Sequence, residues 1–377
     1  MVWLAAMLRN LGYRRAEKLV KDALGQPRSS SNDLPPLSII IPAYDQCDAL
    51  RHNLPHILTQ EYPQLFEVIV VDMNSTDDTQ MYLEYMTTRY PNLHVSHIPA
   101  SARDVSQIRV ALTLGMKAAS HDWTVLTQAD CHPISSNWLL HLGEACAHGR
   151  ETNIVLGYTC FCNKKGWTAL RGRFFHLWQQ MLHLPYAARH GAYRADGTNL
   201  CYRRSFFLRH RGFATHANLL TGGTDIMVNQ NSQRDNTVLC LHPDAFMAQD
   251  MPQRERWWQQ ERLFFMETRR HFRHGWLYRL KYLTHVCLTW LFTLATIGAL
   301  TLSLLQENYV ATITVAVLWA LHAIFRAICF QSGARALASH ITLGSLPLLL
   351  HLVLFWDVTA WLRWCFTRRK MFRKKAI

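Results

Sequence analysis

The chain has 377 residues, a formal net charge of +14 and 49% apolar residues, enough for a full core and for two or three folded units. Its ten cysteines are scattered without a CxxC pair, which argues against a disulfide framework or a zinc site and for reduced thiols. The basic surplus flanks apolar runs long enough to cross a bilayer, so the expected partner is an anionic membrane surface and not nucleic acid.

Residues 3–24 read as one basic amphipathic helix, with Leu4, Met7, Leu8, Leu11, Leu19, Val20 and Leu24 set against Arg9, Arg14, Arg15, Lys18 and Lys21. Such a helix, with Trp3 near its start, either lies on a membrane or packs on the protein. The start of the chain lacks the apolar core and cleavage site of a signal peptide. Residues 26–36 (QPRSSSNDLPP) are a linker by composition.

From residue 35 to about 275 the pattern is that of a soluble α/β domain. Strands are expected at 37–42 (LSIIIP), 66–71 (FEVIVV), 93–98 and 124–127, each a β-branched run bounded by turn residues. Helices alternate with them: one after Asp48, read as its N-cap, then 80–88 and 105–119. This alternation predicts a mainly parallel sheet with helices on both faces and the post-strand loops along one edge. Asp72 and Asp130 share that edge, although a carboxylate after a strand also serves as a turn cap. Pro133 ends the fourth strand, and His132 stands two positions after Asp130. In an extended segment both side chains face one spot, where open α/β folds bind ligands.

The segments SIIIPAY, EVIVVDMNSTDDT and LTQADCHPISSNWL, followed by ADGTNLCYRRSFFLRHRGF, TGGTDIMVN and PQRERWWQQER, resemble family 2 glycosyltransferases of the GT-A fold, in the expected order over about 230 residues. The resemblance is to the membrane-bound bacterial members. It implies that Pro42, Ala43, Tyr44 and Asp72 flank a nucleotide, with Arg109 nearby. Asp130 matches the last acid of the metal-binding DxD motif, for Mn²⁺ or Mg²⁺, and His132 is a second candidate ligand. Gln128 stands where the family usually has an acid, which removes a charge from the metal site. Asp225 matches the general base on the acceptor hydroxyl. Gln253, Arg256 and Trp257 read as a QxxRW box; in a second register Trp257 or Trp258, Gln260 and Arg262 form a WxxQxR-like box.

The implied chemistry is transfer from a nucleotide-sugar donor to a glycan or lipid-linked acceptor in cell-surface polysaccharide synthesis. A divalent cation and Arg256 or Arg262 would stabilise the departing diphosphate. With one base, inversion at the anomeric carbon is the simpler course. A processive polysaccharide synthase and a weakly active transferase-like scaffold are the alternatives.

Three apolar stretches follow, 283–305, 309–330 and 341–362, each near the length a bilayer requires. Basic flanks before the first stretch, at Arg326–Arg335 and at the tail all belong on the cytoplasmic side. That requires an even number of crossings, so two spans are expected, with the third stretch re-entrant or interfacial because it contains Pro347 and Asp357; three full spans with the tail outside are the alternative. The units are thus 1–34, 35–275 and 276–377, in a bacterial inner membrane with the catalytic domain in the cytoplasm.

Overall fold

The structure, a computed structural model, describes residues 2–25 (side chains from Ala6 onward), 33–98, 106–214, 219–220, 222–250, 255–368 and 372. Two N-terminal helices, α1 (Val2–Asn10) and α2 (Arg14–Leu24), precede a β/α series: β1 (Leu37–Ala43), α3 (Cys47–Leu58), β2 (Phe66–Asp72), α4 (Thr79–Arg89), β3 (Leu93–His97), α5 (Gln107–Ala118) and β4 (Trp123–Leu126). Then come β5 (Cys131–Pro133), α6 (Trp138–Ala147), β6 (Ile154–Leu156), β7 (Thr159–Phe161), α7 (Trp167–His190), β8 (Leu200–Arg203), α8 (Arg204–Arg209), α9 (Gly223–Asn231), β9 (Thr237–Leu239) and β10 (Met247–Gln249). The chain continues through α10 (Glu255–Thr268), α11 (Trp276–Leu305), α12 (Tyr309–Ala336) and α13 (Leu346–Phe366).

A seven-stranded sheet runs in the order β3-β2-β1-β4-β8-β6-β9. The first four strands are parallel, but β8 pairs antiparallel with both β4 and β6, so the sheet is mixed and less parallel than the alternation suggests. The parallel strands are covered on both faces, which is why they read as continuous apolar runs. Leu37, Ile39 and Ile41 pack with α3 and α6 on one face, while Ile40 meets Leu112 and Met116 of α5 on the other. A smaller sheet, β5-β10-β7, extends one end of the domain.

The helix expected at 3–24 is broken. A 3₁₀ turn, Leu11–Tyr13, separates α1 from α2. Gly12 weakens the helix there, and the turn carries the Tyr13 ring inward, edge-on to Phe330 of α12 at 5.2 Å between centroids. A Cβ at Gly333 of α12 would lie 2.9 Å from the Tyr13 carbonyl oxygen, so only glycine admits this approach. The N-terminal segment thus packs on the protein: Tyr13, Ala16 and Val20 join a core with α7, α12 and α13.

Helix α3 is capped differently from expectation. Its N-cap is Gln46, with Asp48 in the first turn. Asp77 holds both neighbouring helix starts, accepting from Cys47 N at 3.1 Å and Thr79 N at 3.0 Å.

Three helices, Trp276–Leu305, Tyr309–Ala336 and Leu343–Phe366, are long and apolar enough to cross a membrane. The third stretch is not broken as expected. Pro347 falls in the first turn of α13, where its missing N–H has no partner to lose. Asp357 is neutralised from outside the helix by Arg262 at 2.7 Å and by the Tyr282 hydroxyl. Arg326, expected in a flank, lies inside α12 and is 1% exposed.

Candidate active site

Strands β2 and β3 lie on one side of β1 and β4 on the other, so the chain reverses direction between β1 and β4. The crevice beyond the carboxyl ends of strands at such a reversal is where open α/β sheets take ligands. A cavity of about 840 Å³ opens there, with Pro42, Gln128 and Asp130 on the sheet side. Its other walls come from α7, α9, α10, the start of α11 and Asp357 of α13.

Asp130 sits in the turn between β4 and β5. Because β5 pairs antiparallel with β10, Gln249 comes opposite Cys131. The Gln249 amide then donates to the Asp130 carboxylate at 3.2 and 3.3 Å and to Gln128 Oε1 at 3.2 Å. Burial raises the Asp130 carboxyl above its ordinary value, partly offset by donation from Gln249 and Cys131. Asp250, a further carboxylate acting on Asp130, is paired with Lys164 at 2.9 Å.

His132 does not face the same spot as Asp130. Its Nδ1 lies 3.0 Å from Asn53 Oδ1 on α3, and its ring is 5.9 and 6.1 Å from His52 and His56. The two-residue alternation holds inside a strand, and Asp130 lies in the turn before β5. A different group, His141, His242 and Asp244, offers ligand atoms within 4.8 Å of one another, on α6 and the loop after β9, away from the cavity lining.

At the far end of the cavity, Gly222 (φ 79°) turns the chain into α9 and puts Asp225 in its first turn. Asp225 Oδ1 accepts from Arg194 Nε at 3.2 Å and from Ala195 N at 3.1 Å. Arg194 also pairs with Asp196, and its Nη1 donates to Gln179 Oε1 at 3.2 Å. Burial raises the Asp225 carboxyl to about 6; Arg194 pulls it down and Asp196 pushes it up. Burial works to raise Asp196 as well, but Arg194, His176 and His183 together hold it below its ordinary value. The site therefore contains two carboxylates on one guanidinium, one ionised and one with a proton affinity suited to base catalysis near neutral pH. Arg194, Asp196, Gln179 and Gln180 escaped the sequence reading. An Arg-x-Asp pair in the Gly-Thr-Asn turn region just before β8 was the signal that could have found two of them.

The other expected residues are scattered. Arg109 lines the cavity, donates to the Leu219 carbonyl, and is lowered by burial to about 10. Ala43 is buried at the end of β1, and Tyr44 is 46% exposed. Asp72 does not line the cavity; it is 2% exposed and accepts from Ser75 N at 3.2 Å and Ser75 Oγ at 2.5 Å, as a turn cap does. Trp257 and Trp258 line the cavity, while Arg256 is exposed and does not. One residue separates Arg256 from Trp258 in α10, so the two point to different sides of the helix. Gln260 is exposed on a second groove between α10 and α13. Gln253 lies outside the described residues. Arg262 does reach the cavity, but it is bound to Asp357 and stacks on Phe175 and Trp258 at 4.3 and 4.7 Å.

Comparisons with known proteins agree with this topology. The sequence model of the family described as glycosyl transferase family 2 matches residues 38–211. A curated relative, glycosyltransferase AglE of Haloferax volcanii, is 29% identical over 141 residues, 37% of this chain; the match spans less than half of that relative, 44% of its length. Among solved structures, the mannosyltransferase PcManGT of Pyrobaculum calidifontis, in complex with GDP-Man and Mn²⁺, aligns over 97% of this chain and 99% of its own with a TM-score of 0.52 at 16% identity. That likeness is one of fold. The sheet order with its ligand crevice, the family match across β1 to α8 and the shared fold agree: residues 38–211 match glycosyl transferase family 2 and lie in a domain of the GT-A fold, which long apolar helices follow.

Proposed function

We propose that the protein is a membrane-anchored inverting glycosyltransferase moving a sugar from a nucleotide-sugar donor to a glycan or lipid-linked acceptor. The observation that carries this reading is a single cavity with Asp130 at the strand reversal, Asp225 as a buried base opposite, and Tyr278, Tyr282 and Leu283 at the start of α11 as part of its wall. A cavity whose wall is the start of an apolar helix suits an acceptor that arrives from a bilayer. The activity in AglE's name and the GDP-Man and Mn²⁺ bound to PcManGT support the same reading.

The donor's nucleotide would lie against Pro42 and Gln128, with Arg109 at the cavity wall. The donor set at Asp130 fits a hard divalent cation. Its carboxylate is partly buried, accepts from the Gln249 amide, and has no cationic side chain within 4.0 Å among the described residues. Mn²⁺ or Mg²⁺ held there by Asp130, beside the neutral Gln128, would supply positive charge for the departing diphosphate. Asp225 accepts the proton of the acceptor hydroxyl. The acceptor oxygen bonds to the anomeric carbon as the bond to the diphosphate oxygen breaks, and the nucleoside diphosphate leaves with that electron pair. Attack from the face opposite the leaving group inverts the centre. Arg194 orients Asp225. Arg262, tied to Asp357, stabilises the wall and is not free to grip phosphate. We place the catalytic domain on the cytoplasmic side of a bacterial inner membrane, beside the basic flank of α11, where nucleotide sugars are available.

The test is turnover of a panel of nucleotide sugars by the purified full chain with Mn²⁺, Mg²⁺ or EDTA. One donor should be consumed only with metal, and both Asp130→Ala and Asp225→Asn should lower that turnover at least about 10²-fold. Turnover that survives EDTA and Asp130→Ala overturns the metal role. Donor binding without turnover by the native chain overturns the enzyme reading in favour of a transferase-like scaffold.

A further inference from the structure

A polar cluster containing two arginines is buried where the N-terminal helix meets the long apolar helices, away from the cavity described above. Arg9 and Asn10 come from α1, His285 from α11, and His322 and Arg326 from α12. Asn10, His285, His322 and Arg326 are each 4% exposed or less. The contacts within the cluster are few for so many donors. Arg9 Nη1 donates to the His285 carbonyl at 2.9 Å, and Arg326 Nη2 donates to the Leu350 carbonyl of α13 at 3.1 Å. Asn10 Nδ2 lies 3.1 Å from His322 Nε2.

The rest of both guanidinium groups is buried without a partner: Nε and Nη2 of Arg9, and Nε and Nη1 of Arg326. No carboxylate among the described residues lies within 4.0 Å of either one; Glu17 of α2 is taken by Arg14, Lys21 and Ser332. This contrasts with two arginines of the cavity wall that form ion pairs, Arg194 with Asp196 and Asp225, and Arg262 with Asp357. Burial and its neighbour Arg326 pull Arg9 down only to about 10, so it stays cationic at neutral pH. Two uncompensated guanidinium charges close enough to act on each other are among the costliest arrangements a fold can hold. An anion with several acceptor oxygens removes that cost, and the planar fork of arginine matches a phosphate.

The location indicates which anion. His285 is two residues past the start of the apolar run at Leu283, directly after the basic and aromatic segment of α11 that begins at Trp276. Leu350 is in the second turn of α13, at the corresponding end of that helix. The cluster therefore lies toward the basic ends of α11 and α12, which carry Arg279, Lys281 and Arg335, on the side where a bilayer's phosphates would meet those two helices.

We propose that Arg9 and Arg326 clamp the phosphate of an anionic membrane lipid, which latches α1 onto α11 and α12. The inference rests on the membrane placement above but not on the transferase reaction.

The experiment uses the full chain in nanodiscs of phosphatidylcholine alone, of phosphatidylcholine with phosphatidylglycerol, and of phosphatidylcholine with inorganic phosphate in the buffer. The readouts are the unfolding midpoint and the lipid retained in native mass spectrometry. Phosphatidylglycerol should raise the midpoint by several degrees and be retained as a bound mass. Arg9→Gln and Arg326→Gln should each lose most of that shift, and Arg9→Lys, which keeps the charge but not the fork, should retain part of it. Equal midpoints in all three conditions, with no retained lipid, overturn the proposal. So does a rise in midpoint on Arg326→Met in every bilayer, the mark of a charge that nothing compensates. A shift produced equally by inorganic phosphate keeps the anion site but overturns the lipid as its occupant. A chain that stays soluble without discs refutes the membrane placement, and the phosphate arm run on it then decides the anion site alone.

Discussion

At the residue scale, the site depends on how one guanidinium divides its charge between two carboxylates. Arg194 holds Asp196 ionised, while burial leaves Asp225 at about 6. A base works in its deprotonated form, so turnover should fall as pH drops through about 6 and level off above it. Because Arg194 lowers the Asp225 value, Arg194→Gln should move this acid limb to higher pH as well as lowering the rate, whereas a merely structural residue would lower the rate at all pH values alike. A pH profile of kcat/KM for the two proteins checks this. Asp225→Asn should lose about 10²–10⁴-fold in rate with its unfolding midpoint retained. Asp225 was legible in the sequence because it stands beside a Gly-Gly turn in a recognisable segment. Its partner was not, because a neighbour 31 positions away in sequence leaves no local trace.

At the element scale, the helices that look like a separate membrane unit are fastened to the catalytic domain by α10. Trp258 lies between Arg171 at 3.9 Å and Arg262 at 4.7 Å, and Arg262 reaches Asp357 of α13. Each cation–π contact of this kind is worth about 0.5–2 kcal/mol. The ion pair behaves differently under mutation. Arg262→Met or Asp357→Leu alone strands a buried charge and should cost about 3–5 kcal/mol, while the double variant should recover most of the loss. A double-mutant cycle on the unfolding midpoint in detergent measures this; single variants as stable as the native chain would show that the pair is solvated. The same pair explains how the third apolar stretch can run as one unbroken helix despite its acid: the partner is supplied from 95 residues away, which no local pattern shows. The short strands β5, β6, β7, β9 and β10, three residues each, were illegible for a related reason. They are set by pairing across the domain and are too short to show a period. The first four strands were legible because burial on both faces demands unbroken β-branched runs.

At the scale of the whole molecule, the boundary near residue 275 divides the composition but not the core. Phe174 and Trp178 of α7 are fully buried in one cluster with Phe330 of α12 and with Leu346, Leu349, Leu350 and Val353 of α13. Val20 and Ala16 of the N-terminal segment close the same cluster. Removing the helices would expose these aromatic side chains, each of which loses several kcal/mol of burial at about 25 cal/mol per Å². It would also remove Tyr278, Tyr282 and Asp357 from the cavity wall. A fragment ending at residue 275 should therefore not behave as an independent soluble transferase. Expressed alone, it is expected to be recovered mainly as aggregate and, where soluble, to melt well below the full chain in detergent and to bind donor weakly. Soluble yield, a circular-dichroism melt and donor titration test this together. A fragment that melts sharply at the temperature of the full chain would mean that the shared core is a contact surface between two self-sufficient units. The chemistry would then reside in the sheet domain, with the helices serving only to hold it at the membrane.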